Sequence, residues 1–366
     1  MLTCKKWSEV ATNLLYRTIS VKRQNVHALP SLLQTLRQYP HKAAAVHCIF
    51  VYWTGFSIPV SLTTEVVMGL IIALISVSSN LCAVAFEGFH HYNIESILDS
   101  MTRSRHIRIF KCGFRDVKLR NILGVVSNMA DLTSLSLRMT HQHPFPEDGP
   151  LSSISTPSLT ILSLRTYWAD VKTLLSSWCM PKLTNLSLNT VGDELDGPHN
   201  DNLSWFKHIG AQLRFLDLLS ESETVIIPMS VSTILSSCPL LQTFQFNVDM
   251  EYSHPSGLVS NPHPSLQHLH IRSSFLFIPS TAPREADQLL ASNMGFITRT
   301  NFPQLISVRI FKSQRGHVPF WSTIESVNRS ASSAFPALVD CCRTDSIRLE
   351  DAAGIDLISP DLQSVR

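Results

Sequence analysis

A leucine-x-x-leucine-x-leucine template recurs along the chain, and that recurrence constrains the fold more than any other feature. It stands in ADLTSLSL (Leu132, Leu135, Leu137), PSLTILSL (Leu159, Leu162, Leu164), PKLTNLSL (Leu183, Leu186, Leu188) and AQLRFLDL (Leu213, Leu216, Leu218). The spacing is neither helical nor strictly alternating. It suits a short strand whose second and third leucines face inward while the first plugs the turn before it. One such strand cannot bury its own apolar face, so it needs neighbours stacked on both sides.

Relaxing the template to any large apolar residue adds PLLQTFQF (Leu241, Phe244, Phe246), PSLQHLHI (Leu266, Leu269, Ile271) and PQLISVRI (Leu305, Val308, Ile310). Weaker copies stand at Val46, Ile49, Val51 and at Leu81, Val84, Phe86, and a degenerate one ends in Ile107 and Ile109. From Leu132 to Leu266 the starts lie 27, 24, 30, 28 and 25 residues apart; the step of 39 to Leu305 contains an insertion. Between the strands the period turns helical, as in NILGVVSNM, VKTLLSSWCM and VSTILSSCP. Each repeat therefore reads helix, turn, strand, loop. An ordinary doubly wound sheet also has leucine-rich strands, but it has no reason to repeat one pattern with one proline offset. The fold class expected is α/β: a leucine-rich-repeat solenoid, or horseshoe, of roughly ten irregular repeats with parallel concave strands and convex helices.

Composition narrows the function. With 44% hydrophobic and 16% charged residues the chain is too apolar for disorder, and a net charge of +2 gives no global pull towards nucleic acid. The eight cysteines form no CxxC pair and follow no secretory signal, which points to reduced thiols in a cytoplasmic or nuclear protein. The apolar run from Val66 to Ile75 is ten residues, short of the ~18 a span requires, so no membrane partner is expected. Phosphate loops, HExxH and GxSxG are missing from the sequence, so neither an enzyme nor a cofactor is expected.

If the second and third template positions point inward, their neighbours point out across the concave face. That register exposes Arg108, Arg138, Arg165, Phe215, His268, His270, Arg272, Arg309 and Phe311, with Glu87 and Asp217 as the acids. It sets Arg108, Arg138 and Arg165 at one position of successive repeats. Aligned arginines about 5 Å apart repel unless something anionic lies over them. The partner expected is therefore a protein substrate with an acidic or phosphorylated segment. His268 and His270 share a face, but without carboxylate or cysteine partners at ligand spacing they read as surface histidines, with no metal. The basic stretch TRSRHIRIFKCGFRDVKLR lacks the clustered aromatics of a nucleic-acid platform and reads as a solvated rim.

The first residues, MLTCKKWSEVATNLLYRTIS, break the repeat. Here Leu2, Cys4, Trp7, Leu14 and Leu15, followed by Tyr16 and Ile19, resemble the closing helix and exit of an F-box. With the repeats behind it, the chain resembles a fungal-type F-box and leucine-rich-repeat protein. The domains expected are an F-box remnant over 1–25, the solenoid over 26–320, and an irregular segment or partial terminal repeat over 321–366, where SPDLQSVR is similar to HPSLQHLH. The resemblance implies a non-catalytic substrate-recognition subunit of a cullin-type ubiquitin ligase that docks a Skp-type adaptor. The alternative is a repeat scaffold that binds a protein partner without a ligase. An F-box opens with a leucine-proline helical segment upstream of the matching helix, which the sequence as written does not contain. Adaptor binding is accordingly expected to be weak or absent, with Trp7, Leu14 and Leu15 capping the first repeat. The repeats also lack the asparagine usual after the third leucine, so irregular curvature is expected.

Overall fold

The computed structural model describes residues 5–53, 63–88, 95–101, 106–115, 119–140, 153–190, 204–220, 231–247, 261–273, 294–312 and 334–356. The chain divides into two compact units, Met1–Lys182 and Leu183–Arg366. Both are α/β, and each carries six parallel strands of sheet, taken here in turn.

In the first unit the strands are β1 (Thr18–Lys22), β2 (Cys48–Tyr52), β3 (Ala83–Glu87), β4 (Ile109–Arg115), β5 (Ser134–Thr140) and, after the short β6 (Ile154–Ser155), β7 (Ile161–Thr166). The six long strands lie side by side in sequence order, every pair parallel. β6 instead pairs with β8 (Trp178–Cys179). Sequential order without a reversal puts the right-handed crossovers, and hence the helices, on one face. Those helices are α1 (Lys5–Tyr16), α2 (Leu29–Gln38), α3 (Pro40–Ala44), α4 (Thr64–Val77), α5 (Glu95–Met101), α6 (Leu119–Ser127) and α7 (Trp168–Ser177). Along the row α2 packs on α4, α4 on α5 and α5 on α6.

The apolar run near Val66 becomes α4. Thr63 caps it, its hydroxyl accepting from the Val66 amide, and Val67, Met68, Ile71, Leu74 and Ile75 are buried at helical spacing. Among the described residues no helix is long and apolar enough to cross a membrane.

The second unit repeats the plan with β9 (Asn185–Thr190), β10 (Phe215–Ser220), β11 (Thr243–Asn247), β12 (His268–Ser273), β13 (Ser307–Lys312) and β14 (Arg348–Glu350), again parallel and in sequence order. Its helices include α8 (Ser204–Gly210), α9 (Val231–Ser237) and α10 (Ala334–Thr344). Gly210 lets α8 and α9 approach, since a Cβ there would stand 2.6 Å from the Ser237 carbonyl oxygen.

The leucine template supplies the core. Leu135, Leu137, Leu162, Leu164, Leu186, Leu188, Leu216 and Leu218 are all buried, as are the first-position Leu132, Leu159, Leu183 and Leu213. Alternate residues on β7, β9 and β12 are half-buried or exposed, so one face of these strands is dry and the other is open. A doubly wound sheet would bury both.

One backbone contact recurs where most strands begin. The carbonyl after the first template position accepts two amides of the next strand: Thr133 and Ser134 donate to Arg108 O at 2.8 and 2.9 Å, Thr160 and Ile161 to Thr133 O, Arg214 and Phe215 to Thr184 O, Gln242 and Thr243 to Arg214 O, and Gln267 and His268 to Gln242 O.

Three repeats differ from the sequence reading. In β4, Phe110 and Cys112 pair with Leu135 and Leu137, so the template there is Ile107-x-x-Phe110-x-Cys112 and Ile109 is exposed. At the beginning, Ile19 and Val21 pair with Ile49 and Val51, which makes Tyr16-x-x-Ile19-x-Val21 a strand entry in the parallel sheet. At the other end Leu349 pairs with Val308, and Ser346 and Asp351 stand at the first and third template positions. Asp351 is buried there, its Oδ1 accepting from the Ala353 and Ile355 amides at 2.8 Å each, while Gly354 turns with a φ of 85° and an antiparallel bridge joins Glu350 to Asp356.

Leu186→Asp is expected to destabilise the protein by several kcal/mol, because it buries an unpaired charge where β9 meets β10. An unchanged melting temperature would contradict this core assignment.

Candidate functional site

The open face of the second unit carries a continuous polar row. Strand pairing puts Ser187, Asp217, Gln245, His270, Arg309 and Glu350 side by side, each lying between the two inward residues of its strand. Asp217, Gln245 and Glu350 are nonetheless buried, at 7%, 6% and 3% exposure. Its members bond to one another and to neighbouring arginines, with Asp217 Oδ1 left buried without a partner. Ser187 Oγ donates to Asp217 Oδ2 at 3.0 Å, and Arg272 Nη2 stands 3.7 Å from the same oxygen. Oriented to satisfy both neighbours, the Gln245 amide oxygen accepts from the Arg272 guanidinium, including Nε at 2.6 Å, and its amide nitrogen faces His270 Nδ1 at 3.3 Å. Arg309 donates through Nε and Nη2 to Glu350 Oε2 at 3.0 and 2.7 Å, and Arg348 reaches Glu350 Oε1 at 3.4 Å. His268 Nδ1 lies 3.0 Å from Ser307 Oγ, and the His270 ring meets Phe311 edge-on at 5.5 Å.

Burial governs the protonation of these groups. It raises the Asp217 carboxyl above its ordinary value, opposed by Arg272 and Ser187. It lowers His268, and it lowers His270 to about 4 with further help from the positive charge of Arg309. The neutral imidazole of His270 thus fits its place as an acceptor. Both histidines, expected as surface groups, are half-buried and bonded. Among the described residues no three histidine, cysteine or acidic side chains gather as a metal cluster.

Of the expected partner-binding residues, Asp217, His268, His270, Arg272 and Arg309 are brought onto one face, Asp217 engaged with Arg272 and the others with Ser307, Gln245 and Glu350. Phe215 is half-buried on β10, level with Thr243 and Asn185. Sequence reasoning missed Gln245, Glu350 and Arg348. The only signal for Glu350 was an acid beside Leu349, in a strand whose other template positions are polar.

On the first unit's open face, Arg138 and Arg165 do pair in register on β5 and β7. Arg108 does not join them, because the true template at Ile107 puts Gly113 opposite Arg138. Arg108 precedes β4 and is exposed, with its carbonyl serving the ladder. Lys111, on the neighbouring row, is paired with Glu87.

At the amino-terminal end, Leu2 and Cys4 lie outside the described residues. Trp7, Leu14 and Leu15 on α1 are 71%, 67% and 76% exposed, with Val10 at 48%. They do not cap the first repeat. α1 rests on α3 and β1 through its other side, with Lys42 over the Tyr16 ring at 5.5 Å, which turns its aromatic and leucine face outward.

The described cysteines are all free. Burial raises the Cys238 and Cys342 thiols to about 12 and pushes Cys112 up as well, so these three are inert core residues.

No family model matches the chain, and no curated protein does. Among solved structures, a crystal structure of a protein from Bacteroides fragilis aligns over 82% of this chain and 67% of its own length, with 12% identity and a TM-score of 0.32.

Two outcomes follow from the polar row. Arg309→Leu is expected to cost about 3 kcal/mol, since it leaves Glu350 buried with Arg348 alone; urea denaturation measures this. The second concerns pH. The unfolded chain protonates His270 near 6.5 and the folded protein near 4, so the unfolded state binds more protons in between, and stability falls as pH drops from about 6.5 to about 4. In His270→Gln the denaturation midpoint should fall less steeply across that window, with Asp217 and His268 common to both curves.

Proposed function

We propose that this chain is a non-catalytic protein-recognition module of the leucine-rich-repeat solenoid type, serving as the substrate-recognition subunit of a Skp-cullin-F-box ubiquitin ligase in the cytoplasm or nucleus. The observation that carries the reading is the outward face of α1. Trp7, Val10, Leu14 and Leu15 form an exposed apolar stripe at helical spacing, immediately ahead of parallel strands of which β1, β2, β7, β9 and β12 leave alternate residues half-buried or exposed. An apolar helix face so placed suits docking onto a helical adaptor, and the resemblance of these residues to the closing helix of an F-box names which adaptor. The open strand faces supply a surface for a target protein. In this division of labour the amino-terminal helix connects to the ligase and the repeats hold the substrate.

The rival reading, a scaffold that binds a protein without any ligase, keeps the strand faces and discards the α1 contact. Capture on immobilised Skp-type adaptor separates the two. Binding through α1 should be weak, with a Kd on the order of 10 μM. It should vanish in Trp7→Asp/Leu15→Asp, whose melting temperature stays unchanged because both side chains are exposed. No capture, or equal capture by the variant, favours the scaffold.

A further inference from the structure

We propose that Cys48 and Cys82 form a site of reversible oxidative modification, at which a peroxide joins the two sulfurs in a disulfide that staples β2 to the entry of β3. The inference goes beyond the ligase reading and uses none of its contacts.

Strand register brings the two cysteines together. Cys48 opens β2 level with Ala83 of β3, and Cys82 stands one residue before Ala83. Strands about 4.8 Å apart with a rise of about 3.3 Å per residue put the two Cα atoms about 5.8 Å apart, inside the roughly 4.4 to 6.8 Å that a disulfide spans. The strand-entry contact holds the backbone at that separation: the His47 carbonyl accepts from the Cys82 and Ala83 amides at 2.9 and 3.0 Å, and the Cys48 amide donates to Arg17 O at 3.0 Å. Side chains complete the approach. Cys82 Sγ folds back over the same carbonyl, donating to His47 O at 3.3 Å, and the Cys48 and Cys82 side chains are in hydrogen-bond contact. A bridge needs rotation about side-chain bonds but no movement of either strand.

Both cysteines are free and half-buried, so a small oxidant reaches them. The other described cysteines each lack part of this arrangement. Cys112, Cys238 and Cys342 are buried, Cys179 on β8 lies level with Ser155, and Cys341 is bonded to Ile297 O at 2.9 Å beside the buried Cys342. Burial and the neighbouring Cys82 raise the Cys48 thiol, while the positive charge of Arg17 opposes them. Arg17 is thus placed to favour the Cys48 thiolate as its proton leaves.

The chemistry balances with one peroxide. One thiolate of the pair attacks a peroxide oxygen, the O–O bond breaks, and a sulfenic acid forms as hydroxide leaves and takes up the proton that this thiol lost. The second sulfur then attacks the sulfenic sulfur, the S–S bond forms and the S–O bond breaks, and the departing hydroxide leaves as water with the second thiol's proton. Two thiols are oxidised to one disulfide, and the peroxide is reduced to two waters.

The test uses the full chain, reduced, freed of reductant, exposed to one equivalent of hydrogen peroxide, alkylated with N-ethylmaleimide and digested with chymotrypsin. Mass spectrometry should find Cys48 and Cys82 in one disulfide-linked peptide pair that dithiothreitol separates, with Cys112, Cys238 and Cys342 still reduced. The melting temperature should rise by about 5 °C on oxidation and return on reduction, because the bridge closes the loop containing α4 in the unfolded chain. Cys48→Ser and Cys82→Ser should each melt close to the reduced protein and lose both the linked pair and the rise, whereas Cys179→Ser should keep both. Full alkylation of Cys48 and Cys82 after peroxide, sulfinic acid in place of the bridge, or a bridge from either residue to another cysteine would each overturn the proposal. These outcomes are read on the unaltered chain, so they decide the matter even where a variant fails to fold.

Discussion

The forked backbone contact that recurs at strand entries is the constraint from which the rest of the structure follows. One carbonyl accepts two amides from the next strand, and the next strand's own carbonyl passes the arrangement on, through Arg108 and Thr133 in one unit and Thr184, Arg214 and Gln242 in the other. Because the bonds are main chain to main chain, the side chain at that position is free to be arginine, threonine or glutamine. What the ladder does fix is phase. Once two amides are committed, the residues two and four positions beyond that carbonyl must point to the same face, and these are the residues that have to be apolar. A side-chain ladder of asparagines is dispensable when the backbone already sets the register.

With the dry face fixed by leucine, the two units differ in what they do with the other one. Across β9 to β14 the row between the inward residues has become a polar interior, in which a serine, a glutamine, a histidine, an arginine and two acids bond along the row or to Arg272 and Arg348 beside it. Such a network is stabilising only while every member is satisfied, since each buried charge depends on its neighbour. Across β5 and β7 the same rows hold serines and arginines, with no acid among them.

The pure-leucine repeats were legible in the sequence because leucine at three fixed positions is hard to mistake, and Leu135 to Leu218 lie where the template puts them. The reading slipped where one template position was disguised. Cys112 occupies a leucine place but is not a strongly apolar letter, so by pattern Ile107, which opens the template, reads as its second place, and Arg108 falls into a strip to which it does not belong. Tyr16 and Ile19 fall within the resemblance to an F-box exit, which hides the strand entry they make with Val21. β14 was hidden because Ser346 and Asp351 replace two of its three apolar positions. The compensation of Arg309 was lost with it, since its partner Glu350 lies 41 residues further on and no local pattern links them. Contacts made by backbone register are readable from period; contacts between side chains of distant strands need the register first.

Asp351 also changes what the last described strand can do. A parallel ladder of this kind is a template for growth, and an exposed strand with leucine at every inward place would invite another molecule to extend it. Here the leucine place holds a carboxylate bonded to its own following amides, and the chain doubles back so that Glu350 bridges to Asp356 in the opposite direction. An incoming parallel strand would meet a backbone already turned against it. Among the described residues the parallel ladder thus gives way at β14 to a short antiparallel turn whose direction no further parallel strand could continue.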